Sequence, residues 1–206
     1  MDKITIENWL AVHNIKDYII NEDLSVDVEG DVNLSGKYLL GCSTEIGGVF
    51  DCHSNCLISL VGCPTEVVGD FYCNYNRLTS LVGCSVKVGG DFYCNDNELT
   101  SLNYCPESID SSFYCYNNGL TDLFGSPIKV GGDFSCNDNA LTSLDGFPIV
   151  EGVINCLSNK IDDSELFLYG YNSEQVRQYY ISKNLNERLL SGLSEEFGVG
   201  IKKKKI

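Results

Sequence analysis

A repeat of 21 residues constrains this chain more than any other feature of its 206-residue sequence. Phenylalanine recurs at this step at Phe50, Phe71, Phe92, Phe113 and Phe134, and cysteine at Cys52, Cys73, Cys94, Cys115 and Cys136. A last copy runs from Ile154 to Cys156, and a degenerate first copy runs from Val32 to Leu34. Self-similarity at this period predicts a solenoid, because each unit can bury its apolar face only against its neighbours.

The unit from Val88 to Ser108 represents the others. Its Gly89-Gly90 pair predicts a turn with positive φ, which glycine adopts without steric cost. A strand of three to five residues is expected to follow, with Phe92 and Cys94 pointing into the core and the residues between them pointing outward.

An asparagine comes shortly after each repeat strand, and the column contains Asn55, Asn76, Asn97, Asn118, Asn139 and Asn159. An inward amide at a sharp turn can bond backbone groups of its own turn and of the neighbouring turn. We therefore predict a structural ladder of asparagine side chains. The segment after it, around Cys105-Pro106, has no helical period, so irregular backbone is expected there.

Ten of the 11 cysteines are interpreted as core residues. The strand column, which continues to Cys156, points inward, and a second column contains Cys42, Cys63, Cys84 and Cys105. Columns spaced one repeat apart suit the stacking of small buried thiols better than disulfide pairing. Cys56 lies outside both columns.

No metal, other cofactor or enzymatic activity is expected. The run from Cys52 to Cys56 looks like a metal half-site, but strand alternation sends Cys52 inward and His53 outward. The two histidines, His13 and His53, fall in different elements, and no nucleophile stands at a recognisable spacing from either. A phosphate-binding loop and a complete calcium loop are also missing from the sequence.

The formal net charge of -15 bears on the class of partner. It argues against direct nucleic-acid binding and favours a protein with a basic surface, although a merely solubilising surface would have the same composition. No apolar run reaches the roughly 18 residues that span a bilayer, and Met1 to Leu10 lacks the layout of a signal peptide. We therefore expect a cytoplasmic protein with no membrane partner. The sequence leaves the oligomeric state open.

The sequence predicts four segments: an N-terminal cap at 1–45, the repeats at 46–161, a C-terminal helical cap at 162–201 and a basic tail at 202–206.

In the N-terminal cap, an amphipathic helix is predicted from Thr5 to about Ile20, followed by a hairpin that pairs Val26 and Val28 with Val32 and Leu34. In the C-terminal cap, a helix from Ser173 to about Leu190 would cover the last core layer. The lysines of the tail are either a solvated end or an interaction site.

The outward side chains of the repeat strands form an acidic and aromatic surface. The residues predicted to bind a partner are Asp51, Asp70, Tyr72, Asn74, Asp91, Tyr93, Asn95, Tyr114, Tyr116 and Asp133. Tyr72, Tyr93 and Tyr114 would form a contiguous, rigid patch of the kind found at binding hot spots. For the aspartates a structural alternative stays open, in which they bond the glycine turn beside them.

The run Phe92-x-Cys94-x-x-Asn97-x-Leu99 resembles the leucine-rich-repeat pattern Leu-x-Leu-x-x-Asn-x-Leu, and six copies lie between Val49 and Ile161. The glycine-rich, cysteine-bearing variant looks like the leucine-rich-repeat proteins of tailed phages and of some other viruses and bacteria. This resemblance implies a curved solenoid with a short parallel β-sheet on its concave face and ligand recognition there. Because 21 residues are few for this family, an irregular convex face is expected, with helical caps at both ends.

The repeats also resemble the repeat half of secreted bacterial ubiquitin-ligase effectors, but the C-terminal remainder is too short for a ligase domain. Two functions therefore stay open. The first is a binding module that grips a basic protein with the concave face, which in a viral setting would act in the host cytoplasm as an inhibitor of a host defence or nucleic-acid enzyme. The second is a structural or assembly protein that associates through its caps or sheet edges.

Overall fold

The computed structural model describes residues 2–34, 43–84 and 87–161, which form a β-solenoid of about six turns. Each full turn contributes one strand to each of two sheets. The first, here called the tyrosine sheet, contains β3 (Val32–Asn33), β5 (Phe50–Asp51), β7 (Phe71–Tyr72), β9 (Phe92–Tyr93), β11 (Phe113–Tyr114), β13 (Phe134–Ser135) and β15 (Ile154–Asn155). These strands are parallel and lie in chain order, which confirms the solenoid and the repeat register that the 21-residue step predicts.

The second sheet, here called the companion sheet, corrects the expectation of irregular backbone on the opposite side. It contains β1 (Tyr18–Ile20), β2 (Val26–Val28), β4 (Ser43–Ile46), β6 (Glu66–Val67), β8 (Lys87–Val88), β10 (Ser108–Ile109), β12 (Lys129–Val130) and β14 (Ile149–Val150). In each of the companion strands β6, β8, β10, β12 and β14 the second residue is buried, so this sheet covers the other side of the core. A strand of two residues is too short to show an alternating pattern in the sequence.

The glycine pairs join the companion strand to the tyrosine strand, but their role differs from the predicted one. Among the described glycines, positive φ angles occur instead at Gly62, Gly83, Gly125 and Gly146. These residues lie between a tyrosine strand and the next companion strand, on a part of each turn here called the third side. At Gly89, a Cβ atom would lie 2.4 Å from the carbonyl oxygen of Val68. The pair therefore permits close approach of successive turns at this corner, which any side chain would obstruct.

The core is a column of apolar layers, one for each turn. The rings of Phe50, Phe71, Phe92, Phe113 and Phe134 contact one another in sequence, with centroid separations of 5.2 to 5.6 Å. The strand cysteines from Cys52 to Cys156 are buried, as predicted, and the described cysteines are free thiols. In the second column Cys63 is buried while Cys84 and Cys105 are half-buried, and Cys42 lies outside the described residues.

The asparagine ladder is confirmed. Asn97 Oδ1 accepts a hydrogen bond from the backbone N–H of Leu78 at 3.0 Å. Its Nδ2 donates to the carbonyl oxygens of Cys73 and Cys94 at 3.0 and 3.1 Å. Equivalent bonds recur at Asn76, Asn118, Asn139 and Asn159. Each amide thus bonds backbone groups of two successive turns, where the turn leaves no other backbone partner for them.

The N-terminal segment differs from the prediction in two respects. Helix α1 is Lys3–Val12, so the predicted extension of the helix to about Ile20 is wrong, and Tyr18–Ile20 is strand β1 instead. Asp2 Oδ1 accepts from the Thr5 N–H at 2.9 Å, and the helix buries Ile6 and Leu10 in the common core. The chain after α1 forms a hairpin in which β1 pairs antiparallel with β2. The predicted β2–β3 hairpin is therefore wrong, because β2 and β3 belong to different sheets.

The predicted C-terminal cap at 162–201 and the tail at 202–206 lie outside the described residues.

Candidate binding face

The candidate site is the outward face of the tyrosine sheet. The backbone register places Tyr93 between Tyr72 on one side and Tyr114 on the other. Asp70 and Asp91 stand two residues before Tyr72 and Tyr93, so that their side chains emerge on the same face. The structure thus brings the central predicted residues together. Asp51 and Asp133 lie on the flanking turns.

The three tyrosine rings stack on one another along the solenoid. The centroids of Tyr72 and Tyr93 are 4.6 Å apart with an interplanar angle of 13°, and those of Tyr93 and Tyr114 are 4.5 Å apart with an angle of 12°. Both faces of the Tyr93 ring are therefore covered by its neighbours. The patch is contiguous and rigid, but Tyr93 offers its ring edge, and the outer ring faces belong to Tyr72 and Tyr114.

Two of these tyrosines are hydrogen-bonded to the aspartate that stands two residues earlier in the same turn. The Tyr72 hydroxyl donates to Asp70 Oδ2 at 3.0 Å, and the Tyr93 hydroxyl donates to Asp91 Oδ2 at 3.0 Å. Burial and the bond to Asp70 raise the pKa of Tyr72 to about 12. Burial and the bond to Asp91 raise the pKa of Tyr93 well above its ordinary value. Both phenols therefore stay protonated and hold the carboxylates in fixed positions.

The other carboxylate oxygen of each aspartate bonds the next turn. Asp70 Oδ1 accepts from the Asp91 N–H at 2.8 Å, Asp91 Oδ1 from the Ser112 N–H at 2.8 Å, and Asp133 Oδ1 from the Val153 N–H at 2.7 Å. The structural alternative for these residues is thus supported by geometry, with the bond made to the following turn. These bonds fix the carboxylates of Asp70, Asp91 and Asp133, which form a column of negative charge interrupted by Ser112.

The local environment keeps this charge in place at Asp91. Burial acts to raise the pKa of its carboxyl group, but hydrogen bonds from the Ser111 hydroxyl, the Ser112 N–H and the Tyr93 hydroxyl outweigh burial and hold the pKa below its usual value. Asp91 therefore stays ionised even though its neighbour Asp70 carries the same charge on the adjacent strand.

The third outward column differs from the prediction at Asn95. Asn95 is 1% exposed, and its Nδ2 donates to Oδ2 of the next residue, Asp96, at 2.6 Å. That bond directs the amide toward the turn rather than toward solvent. Asn74 and Tyr116 stay half-buried on the face. The Oδ1 atoms of Asn74 and Asn95 are buried and have no protein partner, so each can accept a donor such as a water molecule.

The two flanking aspartates have different surroundings. Asp51 Oδ2 accepts from Asn33 Nδ2 at 3.0 Å, and its Oδ1 pairs with the ring of His53. Asp133 stands two residues before Ser135, where the preceding turns have tyrosine. The tyrosine stack consequently ends in different ways at its two ends.

Among residues 2–34, 43–84 and 87–161, no group of three or more histidine, cysteine or acidic side chains is placed to hold a metal ion. In the same part of the chain, no helix combines the length and the apolar composition needed to cross a membrane.

Two surfaces were missed by the sequence-based prediction. The companion sheet carries exposed ion pairs between Lys87 and Glu66, at 2.6 Å, and between Lys129 and Glu151, at 2.8 Å. The third side exposes an apolar row at Val61, Val82, Tyr104 and Phe124. Its members at 61, 82 and 124 share one place in the repeat, so the 21-residue step could have revealed the row.

Comparisons with known proteins return no matching family model, no matching curated protein and no matching solved structure.

Proposed function

We propose that this protein is a non-enzymatic binding module that grips a basic protein surface with the outward face of the tyrosine sheet. The observation that carries the proposal is the tyrosine stack, in which the hydroxyls of Tyr72 and Tyr93 donate to the carboxylates of Asp70 and Asp91. Such a surface needs little ordering when a partner binds, which lowers the entropic cost of association. Its negative charge favours encounter with a basic partner.

The resemblance to leucine-rich repeats supports the same function. The asparagine of the repeat pattern corresponds to the residues that form the asparagine ladder. Proteins of that family recognise ligands on the sheet. We extend the proposal to a viral origin and to inhibition of a host defence or nucleic-acid enzyme in the cytoplasm. The acidic column is compatible with a partner that normally contacts nucleic-acid phosphates.

The test uses isosteric neutralisation, because charge reversal would also break the bonds between turns. In the variant Asp70→Asn, Asp91→Asn, Asp133→Asn, each Oδ1 can still accept the N–H of the next turn. The matched control Glu45→Gln, Glu107→Gln, Glu151→Gln removes the same charge from exposed positions near the companion sheet. Each protein is used to capture partners from a host extract, and the captured partner is then purified for affinity measurements.

We expect the partner to bind the parent and the control alike and to bind the neutralised face roughly tenfold or more weakly, with a flatter dependence on salt. Tyr114→Ala should also weaken binding, because it removes an outer ring face. A purified partner with equal affinity for all four proteins would exclude this face as the binding site.

The apolar row on the third side favours a second candidate, an assembly protein. Val61, Val82, Tyr104 and Phe124 are 43 to 69% exposed, and Tyr104 has a φ of 70° where other turns have glycine. Self-association through this row would raise the mass with concentration in sedimentation experiments, and Phe124→Ser would abolish the rise. Such assembly should tolerate high salt, unlike binding through the acidic face.

A further inference from the structure

The tyrosine stack stops one turn before the aspartate column does. Tyr114 on β11 pairs in register with Ser135 on β13. The ring separations of 4.5 and 4.6 Å are close to the roughly 4.8 Å spacing of neighbouring strands, so the next place in the stack lies over Ser135. A planar group there would contact the outer face of Tyr114.

The carboxylate that belongs to this place is present. Asp133 Oδ1 accepts from the Val153 N–H at 2.7 Å, as Asp91 Oδ1 does from the Ser112 N–H at 2.8 Å. In the two preceding tyrosine–aspartate turns, a phenol hydroxyl donates to the Oδ2 atom of the aspartate at 3.0 Å. Ser135 carries no phenol to do this for Asp133. The turn of β13 therefore combines an aromatic face with a carboxylate whose usual phenolic donor is replaced by a small side chain.

We propose that the side chain of an arginine from the basic partner occupies this place, stacked on Tyr114 and hydrogen-bonded to Asp133. A guanidinium group is planar, stacks on aromatic rings and donates in the plane of the ring that it would replace. Lysine would supply charge without the flat shape. The net charge of -15 favours this cation over a neutral phenol. The inference rests on the proposed function, since it names the partner group that the face recognises.

The opposite end of the stack does not offer the same combination. Tyr72 pairs in register with Asp51, whose carboxylate already accepts from Asn33 and pairs with His53. In the aspartate column of that turn stands Val49, which has no acceptor on its side chain. An arginine over that end would lack a carboxylate in the position that Asp133 has.

The site is tested on the whole protein with small probes, by following the backbone amide signals of Ser135 and Val153 and the ring signals of Tyr114 by NMR. The probes are the capped tripeptides Gly-Arg-Gly, Gly-Lys-Gly and Gly-citrulline-Gly. We expect the Kd obtained from these shifts to be at least about threefold lower for the arginine peptide than for the lysine peptide. The citrulline peptide, which is planar but uncharged, should bind more weakly than both.

Three variants locate the effect. Ser135→Tyr should fill the place over Tyr114, give Asp133 its phenol and abolish the arginine response, whereas Ser135→Ala should keep it. Asp133→Asn retains the acceptor for Val153 and should weaken binding about threefold or more. Glu107→Gln is the control, because it removes the same charge from an exposed position near the companion sheet. Thermal unfolding establishes whether each variant is folded. If Ser135→Tyr does not fold, the effect of Asp133→Asn on arginine binding tests the site instead.

Equal affinity for the arginine and lysine peptides, or an arginine response that persists in Ser135→Tyr, would overturn the inference. That result would leave the proposed function standing if the purified partner still discriminates against the neutralised face. Failure of the proposed function would appear separately, as a partner indifferent to neutralisation of all three aspartates.

Discussion

Asp70 Oδ1 lies so close to Gly90 of the next turn that a Cβ atom on this glycine would be 2.2 Å from it. The same oxygen accepts the backbone N–H of Asp91 at 2.8 Å. The bond and the close approach have one cause, since the carboxylate reaches across the corner where the two turns meet. Gly48 and Gly152 stand in the same relation to Asp31 and Asp133.

This relationship predicts that Gly90→Ala destabilises the fold. The added methyl group would displace the Asp70 carboxylate and press on backbone atoms of Gly69 and Asp70 at 2.6 and 2.7 Å. We expect a loss of roughly 1 to 3 kcal/mol in the free energy of unfolding, as overpacking usually causes. Chemical denaturation measures it. Gly30→Ala is the matched control, because nothing lies within 4 Å of the added atom. Equal stability of the two variants would contradict this account of the corner.

The asparagine ladder predicts that substitution of Asn97 lowers the free energy of unfolding, whereas substitution of its neighbour Glu98 does not. Asn97→Ala leaves the Leu78 N–H without its acceptor. The carbonyl oxygens of Cys73 and Cys94 lose one of two donors and keep the bonds from Asn76 and Asn118. The loss should be roughly 1 to 3 kcal/mol, the usual penalty for buried polar groups left unsatisfied. Glu98→Ala, at the adjacent exposed side chain, should change stability by less than about 0.5 kcal/mol. Similar losses at the two positions in denaturant titrations would argue against the ladder.

Thiol reactivity should follow the cysteine columns. Burial raises the pKa of Cys73, Cys94 and Cys115 well above the ordinary thiol value, so little thiolate is available for reaction. Cys56 is exposed. In a Cys42→Ser background, native labelling should modify Cys56 first, and Cys56→Ser should remove the fast phase. Rapid modification of the strand cysteines, identified by mass spectrometry, would show that the column is not buried.

Alkaline pH should weaken the tyrosine stack. The folded-state pKa of Tyr72 is raised to about 12 by burial and by its bond to Asp70, above the value of about 10 for an unfolded chain. A raised pKa contributes stability that is fully present below pH 10 and is lost as the pH rises through 12. The difference in unfolding free energy between about pH 8 and about pH 11 should therefore be smaller in Tyr72→Phe than in the parent.

Tyr104→Phe provides the control for this comparison, because its side chain is 69% exposed and belongs to the third side. Ionisation of the buried cysteines also lowers the stability of the fold at alkaline pH. This contribution is the same in all variants, so comparing the variants at equal pH isolates the contribution of Tyr72. An unchanged pH dependence in Tyr72→Phe would mean that the phenol is not held by Asp70.

Several features could be predicted from sequence because they repeat. A constant step of 21 residues puts equivalent residues on adjacent strands, so the pairing of Phe92 with Phe113 and of Tyr93 with Tyr114 follows from counting. The inward place of Phe92 and Cys94 follows from strand alternation. The bonds of Asn97 follow from the need to satisfy the backbone of a sharp turn.

Other features depended on the tertiary structure, because their cause lies one turn away. Lys87–Val88 is a strand only through its neighbours at Glu66–Val67 and Ser108–Ile109, and two residues show no period of their own. The burial of Asn95 also could not be predicted, because strand alternation places its side chain on the outward face. Stacking closes both faces of Tyr93, and this requires rings on two neighbouring turns at once. The sequence by itself thus determined which residues share a column, whereas the packing of successive turns decided which atoms of that column contact each other and which remain available to a partner.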